Sequence, residues 1–158
     1  MLWVFFLQIT LNNYIMKKVL VATEKPFAPA AVAQIKEVLE KANYELVLLE
    51  KYTETSELLK AVENVDGMIV RSDKVTKEVI DAAKNLKIVV RAGAGYDNLD
   101  LDACTAGNVV AMNTPGQNSN AVAELARGMA VMMARGNYNG KAGTELRGKK
   151  IGIHAYGN

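Results

Sequence analysis

The sequence is short of several things, and each shortage excludes a class of protein. It has a single cysteine, Cys104, so no disulfide can close within the chain. That excludes the small secreted scaffolds held by cystine frameworks and fits a reducing compartment, the cytoplasm. Cys104 lies among Ala, Asp and Thr with no histidine near it in sequence, and it reads as a small packing residue rather than a nucleophile. The one histidine is His154, and no metal-ligating set is read from the chain. Charge of one sign is also missing. The 19 Lys and Arg are interspersed with 17 Asp and Glu for a net +2, so no basic face for nucleic acid stands out. The apolar run Met1 to Leu7 is too short to span a bilayer and lacks the basic start and small-residue cleavage site of a signal peptide. No membrane or nucleic-acid partner is expected, and no internal repeat or low-complexity tract is present.

What is there is a chain of 158 residues, half of them hydrophobic, enough for one domain of ordinary size. It is organised around the stretch from Val89 to Arg135. Two buried apolar runs there break into ligand-type loops: Arg91-Ala92-Gly93-Ala94-Gly95 and Asn113-Thr114-Pro115-Gly116-Gln117-Asn118-Ser119. Upstream, residues 1–15 read as the result of a start codon called too early or as a disordered extension, in preference to an extra strand or a membrane contact, because Met16-Lys17-Lys18 opens a clean strand. Strands are expected at 18–22, 45–49, 67–70, 86–90 and 109–112, from their Val/Leu/Ile runs. Helices are expected over 30–42, with Ile35, Val38 and Leu39 on the apolar face, over 55–63, capped by Thr55, and over 76–83. Alternating strands and helices mean a parallel, doubly wound α/β sheet of flavodoxin-like type, in the order 2-1-3-4-5.

The helix expected from about 120 to 134 differs from the others. Charge within it is limited to Glu124 and Arg127, and the rest is Ala, Val, Leu, Met, Asn and Gly. A helix apolar nearly all round is buried on most sides, either as a simple core helix or by bridging two bodies. A Gly-rich linker follows. Ile151 to His154 then reads as a buried strand running toward Gly157, the way a dinucleotide-binding βαβ unit opens, although Ala155 stands where the first fingerprint glycine belongs.

Ligands of an open α/β sheet sit beyond the carboxyl ends of its strands. Arg71 and Ser72 fall there, after the third strand. A guanidinium offers paired donors to an anion and keeps its charge at any working pH. The Gly-rich turn at Gly93, Ala94 and Gly95 can form a nest of backbone N–H groups. Lys74 is a weaker candidate, and Arg91, earlier in its loop, reads as a member of a structural ion pair.

Four stretches carry a resemblance: Val70-Arg71-Ser72, Arg91 through Asp100, Asn113-Thr114-Pro115 through Glu124, and Gly143 through Lys149. From Met16 onward the chain resembles the N-terminal part of the D-isomer-specific 2-hydroxyacid dehydrogenases, most closely the members that oxidise 3-phosphoglycerate at the first step of serine biosynthesis. The resemblance implies a substrate-binding domain at 16–119, a crossing helix and linker at 120–148, and the start of an NAD-binding Rossmann domain at 149–158. It implies a homodimer or higher assembly for the whole enzyme, and 3-phosphoglycerate or another D-2-hydroxy acid as substrate.

By the same resemblance Arg71 and Ser72 face the substrate's phosphate or carboxylate. Gly93, Ala94 and Gly95 present N–H groups to its carboxylate. Ala94 and Asn113 border NAD, to which the glycine fingerprint adds Ala155 and Gly157. The family's catalytic Arg, Glu and His would lie beyond residue 158, and His154, ahead of the phosphate turn, reads as a packed core residue. The chain is thus expected to be an inactive piece of a dehydrogenase. The alternatives are a stand-alone flavodoxin-like module that binds a small anion or regulates, and a receiver-type signalling domain. The receiver is disfavoured by Arg71, which would repel Mg²⁺ where such a domain needs a phosphorylatable Asp.

Overall fold

Five short runs of Val, Ile, Leu and Met make a single parallel sheet. In the computed structural model, which describes residues 16–154 and Gly157, the strands are β1 (Lys17–Thr23), β2 (Tyr44–Glu50), β3 (Gly67–Val70), β4 (Ile88–Arg91) and β5 (Val110–Met112). Their order is β2-β1-β3-β4-β5, the expected flavodoxin-like winding. Segment 1–15 and Ala155 lie outside the described residues.

Helices fill the crossovers: α1 (Pro29–Lys41), α2 (Thr55–Val62), α3 (Lys77–Ala82) and α4 (Leu101–Ala106). Pro29 opens α1, where a missing N–H costs nothing. The inward stripe of α1 differs from the expected one. Leu39 is buried and Ile35 half-buried, but Val38 is 64% exposed. The stripe follows Val32, Ile35 and Leu39, and Val38 falls outside it. Helix α2 is capped by Glu54 rather than Thr55, since Glu57 Oε1 reaches back to accept the N–H groups of Thr53 (3.1 Å) and Glu54 (3.2 Å). Helix α4 was not expected at all. Asp100 nucleates it by accepting the Ala103 N–H at 2.9 Å.

One face of the sheet carries the core. Leu58 and Val62 of α2, Val79 and Ile80 of α3, and Ala103 and Cys104 of α4 pack on Leu20, Ala22, Met68, Val70 and Val89. Full burial of such a side chain is worth roughly 1.5–3 kcal/mol. Cys104 belongs to this core, and burial pushes its thiol above the ordinary range, with the Asp100 charge adding to the effect. It is therefore a packing residue, as its surroundings in sequence suggest.

The chain divides into two compact units after Asn113. In the second, α5 (Ser119–Ala134) has no buried side chain among the described residues. Past its end the linker folds back, with the Thr144 N–H donating to the Ala134 carbonyl at 2.7 Å. Gly143 permits that approach, since a Cβ there would lie 2.5 Å from the Ala134 oxygen. The expected strand at Ile151 to His154 is not formed. These residues have no regular structure and are exposed, Ile151 at 82% and Ile153 at 79%, and His154 is exposed rather than packed. A strand needs hydrogen-bonded neighbours, and none of the described strands pairs with this segment.

Candidate functional site

The carboxyl ends of β3 and β4 lie side by side, with Val70 paired to Arg91 and the Ala92 N–H donating to the Val70 carbonyl at 2.8 Å. That register brings the two expected anion-binding segments to one sheet edge. Arg71 and Ser72 follow β3 and are exposed, as is Lys74. Gly93 and Ala94 follow β4 half-buried, with Gly95 exposed.

Arg91 takes a different role from the expected ion pair. Its Nε donates to the Arg71 carbonyl at 3.0 Å, and no carboxylate pairs with it among the described residues. A Cβ built on Gly93 would lie 2.0 Å from Arg91 Nη1, and one on Gly95 would lie 3.7 Å from the same atom. The guanidinium therefore lies along the Gly93–Gly95 turn. What approaches Gly93 closely is Arg91's own side chain, and the missing Cβ makes room for it, whereas the nearest atom to a Cβ on Gly95 would be Asp97 Oδ1 at 3.1 Å. The edge thus carries two guanidinium groups, with the backbone carbonyl of one gripping the side chain of the other.

The backbone donors of the turn are unequal. The Gly93 N–H is engaged with the Arg91 carbonyl at 2.8 Å, so it is not free to meet a carboxylate as the resemblance implied. The N–H groups of Ala94 and Gly95 have no partner among the described residues. Asn113, just past β5, donates its amide to the Ala94 carbonyl at 2.7 Å. Across a trans peptide the carbonyl and the following N–H point in opposite directions. Holding the Ala94 oxygen therefore aims the Gly95 N–H away from Asn113.

Beneath the edge sits a carboxylate that sequence reasoning passed over. Asp73 is 5% exposed. Its Oδ1 accepts the Glu24 N–H and the Tyr52 hydroxyl, each at 2.8 Å, and Oδ2 accepts the Arg71 N–H over a long 3.4 Å. Its backbone carbonyl accepts the Asn98 amide at 2.7 Å. Burial, with the Asp73 carboxylate at its oxygen, pushes the Tyr52 hydroxyl well above the ordinary tyrosine range, so it remains a donor. The one available signal was a short acid two residues past a strand-end arginine, within reach of backbone N–H groups.

A larger cavity, about 440 Å³, lies against β2 and α1, lined by Lys36, Glu40, Tyr44 and Leu48 among others. It is away from the strand carboxyl ends and gathers no set of anion donors, so the edge at β3 and β4 is the candidate site. A recess of about 170 Å³ beside Asn113, lined by Tyr96, Leu99, Leu101, Ala111 and Met112, flanks the Gly-rich turn.

Residues 19–157 match the family model described as D-isomer specific 2-hydroxyacid dehydrogenase, catalytic domain. The chain belongs to this family. It is 40% identical over 128 residues to hydroxypyruvate reductase of Thermotoga maritima, which covers 72% of this chain and 42% of that protein. It is 44% identical over 115 residues to D-3-phosphoglycerate dehydrogenase of Homo sapiens, 64% of this chain and 22% of that one. A crystal structure of NAD⁺-bound 3-phosphoglycerate dehydrogenase from Entamoeba histolytica superposes with a TM-score of 0.78 at 50% identity, covering 84% of this chain and 44% of that one. The chain therefore spans less than half the length of these relatives.

An edge of guanidinium and N–H donors suits a carboxylate or phosphate. Of the residues expected to border a cofactor, Ala94 and Asn113 lie at this edge. Gly157 belongs to the second unit, where a Cβ on it would meet nothing within 4 Å, and Ala155 lies outside the described residues. No group of three or more His, Cys, Asp or Glu that could hold a metal is formed among the described residues.

Proposed function

We propose that this chain supplies the substrate-anion half of an NAD-dependent D-2-hydroxyacid dehydrogenase, and that the anion is 3-phosphoglycerate, the substrate that opens serine biosynthesis. The carrying observation is the Arg91 guanidinium lying along the Gly93–Gly95 turn while bonded to the Arg71 carbonyl. Arg71, Ser72 and Arg91, with the N–H groups of Ala94 and Gly95, then bind the phosphate and carboxylate. The phosphoglycerate dehydrogenases among the relatives support this choice of substrate. NAD accepts the substrate's hydride when it is bound. The described residues at 151–154 and Gly157 build no strand-and-turn cradle for it, so these residues account for substrate binding and for no step through NAD. The exposed apolar surface of α5 suits a contact with another domain or a second subunit, and the single thiol suits the cytoplasm.

The first unit carries no histidine and its buried acid Asp73 is committed to its donors, which leaves Asp97, beside Gly95, as the exposed carboxylate at the turn. The 158-residue chain is expected to bind 3-phosphoglycerate without oxidising it. Calorimetric titration checks the binding, and NADH absorbance with excess NAD checks the turnover. Arg71→Ala removes a charge-assisted bond worth roughly 1.5–3 kcal/mol, so affinity should fall about ten- to a hundredfold. An unchanged affinity in Arg71→Ala, or NADH formation above the blank, counts against this reading.

A further inference from the structure

We propose that Asp73 is a positioning residue that sets the Arg71 arm of the anion site, with Tyr52 and Asn98 as its struts. The proposal rests on the reading of Arg71 as an anion ligand. A carboxylate two residues from an arginine is close enough in sequence to pair with it. Asp73 does not do so, and no cation lies within ion-pair distance of it among the described residues. Its oxygens are occupied instead by neutral donors from the end of β1 (Glu24), from beyond β2 (Tyr52) and from the backbone of Arg71 itself. Burying a carboxylate without a counter-charge is costly, and only such donors offset it. The arrangement fixes the backbone of Arg71 while leaving its guanidinium uncommitted and exposed.

The same residue ties the two binding segments together. The Asp73 carbonyl takes the Asn98 amide, the Val75 N–H donates to the Asn98 carbonyl at 2.9 Å, and the Asp100 N–H donates to the Val75 carbonyl at 2.9 Å. Asn98 is three residues past Gly95, so the turn after β4 is held to the turn after β3. The Arg91 bond to the Arg71 carbonyl closes the same loop from the other side.

The sign of a substitution separates positioning from simple charge. Removing a negative charge beside an anion site should tighten anion binding by Coulomb's law alone. A positioning role demands the opposite. The test is calorimetric titration of 3-phosphoglycerate into the 158-residue chain and its variants, with a thermal melt of each. Asp73→Ala is expected to weaken binding about tenfold. Asp73→Asn, which keeps one acceptor for Glu24 and Tyr52 but turns an amide toward the Arg71 N–H, is expected to lose less. Tyr52→Phe is expected to weaken binding about threefold, and it carries the test with Asp73→Asn if Asp73→Ala does not fold. Val79→Ala, a core change far from the edge chemistry, should lower the melting temperature and leave the affinity alone.

Unchanged or tighter binding in the Asp73 variants, with Arg71→Ala still weakened, overturns the proposal and leaves the site standing. Equal weakening in Val79→Ala overturns it too, because affinity would then merely follow stability. No binding by the unsubstituted chain, or no effect of Arg71→Ala, overturns the anion site itself and the proposal with it.

Discussion

Helices α2 and α5 invite comparison because the more apolar of the two is the one that buries nothing. Helix α2 has eight residues and places Leu58 and Val62 in the core, 3% and 0% exposed. Helix α5 has sixteen, rich in Ala, Val, Leu and Met, yet Leu125 stands 63% exposed and Met133 75%. Apolar composition sets what a helix can bury, and the partner surface sets what it does bury. Helix α2 meets a sheet face through a single stripe, which fixes its rotation. Helix α5 is apolar over most of its length, and among the described residues none of its side chains is buried.

The largest expected effect tests that contrast directly. Leu58→Ala should cost about 2–5 kcal/mol, the range for emptying a packed core position. Leu125→Ala should stay within about 0.5 kcal/mol, as surface changes do. Urea denaturation of the 158-residue chain measures both. A loss in Leu125→Ala comparable to that in Leu58→Ala would end the distinction between the two helices.

A position at the boundary between packed and open regions sharpens it. Gly93 lies at the sheet edge, and an added Cβ would collide with Arg91 Nη1, the far end of a flexible side chain. The guanidinium can swing away, so Gly93→Ala should change stability by less than about 1 kcal/mol. It should still lower affinity for 3-phosphoglycerate about tenfold, because the displaced charge no longer lies along the turn. Paired melts and titrations check this, and an unchanged affinity would mean that Arg91 does not serve the anion.

How much of this was legible depends on the range of the interaction. The sheet was legible because a parallel strand buried on both faces writes itself as a local apolar run, and Leu20, Val21 and Ala22 are each 0% exposed. Helix α4 was missed because six residues carry too few turns for periodicity, and its one signal was the Asp100 cap. The segment Ile151 to His154 misled for the opposite reason. Its run is apolar, but a strand is made by its neighbours.

At the site, Arg71, Ser72 and the Gly-rich turn could be placed at one edge from topology alone. The bond from Arg91 to a carbonyl twenty residues away could not, since nothing near Arg91 in sequence points to it. Asp73 stayed hidden for the same reason. Its partners Glu24 and Tyr52 lie 49 and 21 residues away.

The smallest effect expected is a slope against pH, and it also belongs to the packed unit. Burial first, then the hydrogen bond and charge of Asp73, then the charge of Glu24, raise the Tyr52 hydroxyl above its ordinary 10.0. In the unfolded chain this phenol loses its proton near 10.0, whereas in the folded chain it keeps it. Above that pH the folded state therefore binds more protons than the unfolded one, and stability falls as pH rises. The contribution of Tyr52 is fully present below its ordinary value and drains away with further alkali. Tyr52→Phe should be less stable near neutrality, where the bond to Asp73 is lost, yet its stability should decline less steeply through alkaline pH. Other groups titrate there as well, but they are common to both proteins and cancel in the difference. Urea midpoints taken from neutral to strongly alkaline buffer give that difference directly. Parallel curves for the two proteins would show that Tyr52 does not hold its proton against Asp73, and the hub beneath the proposed anion site would lose its strongest strut.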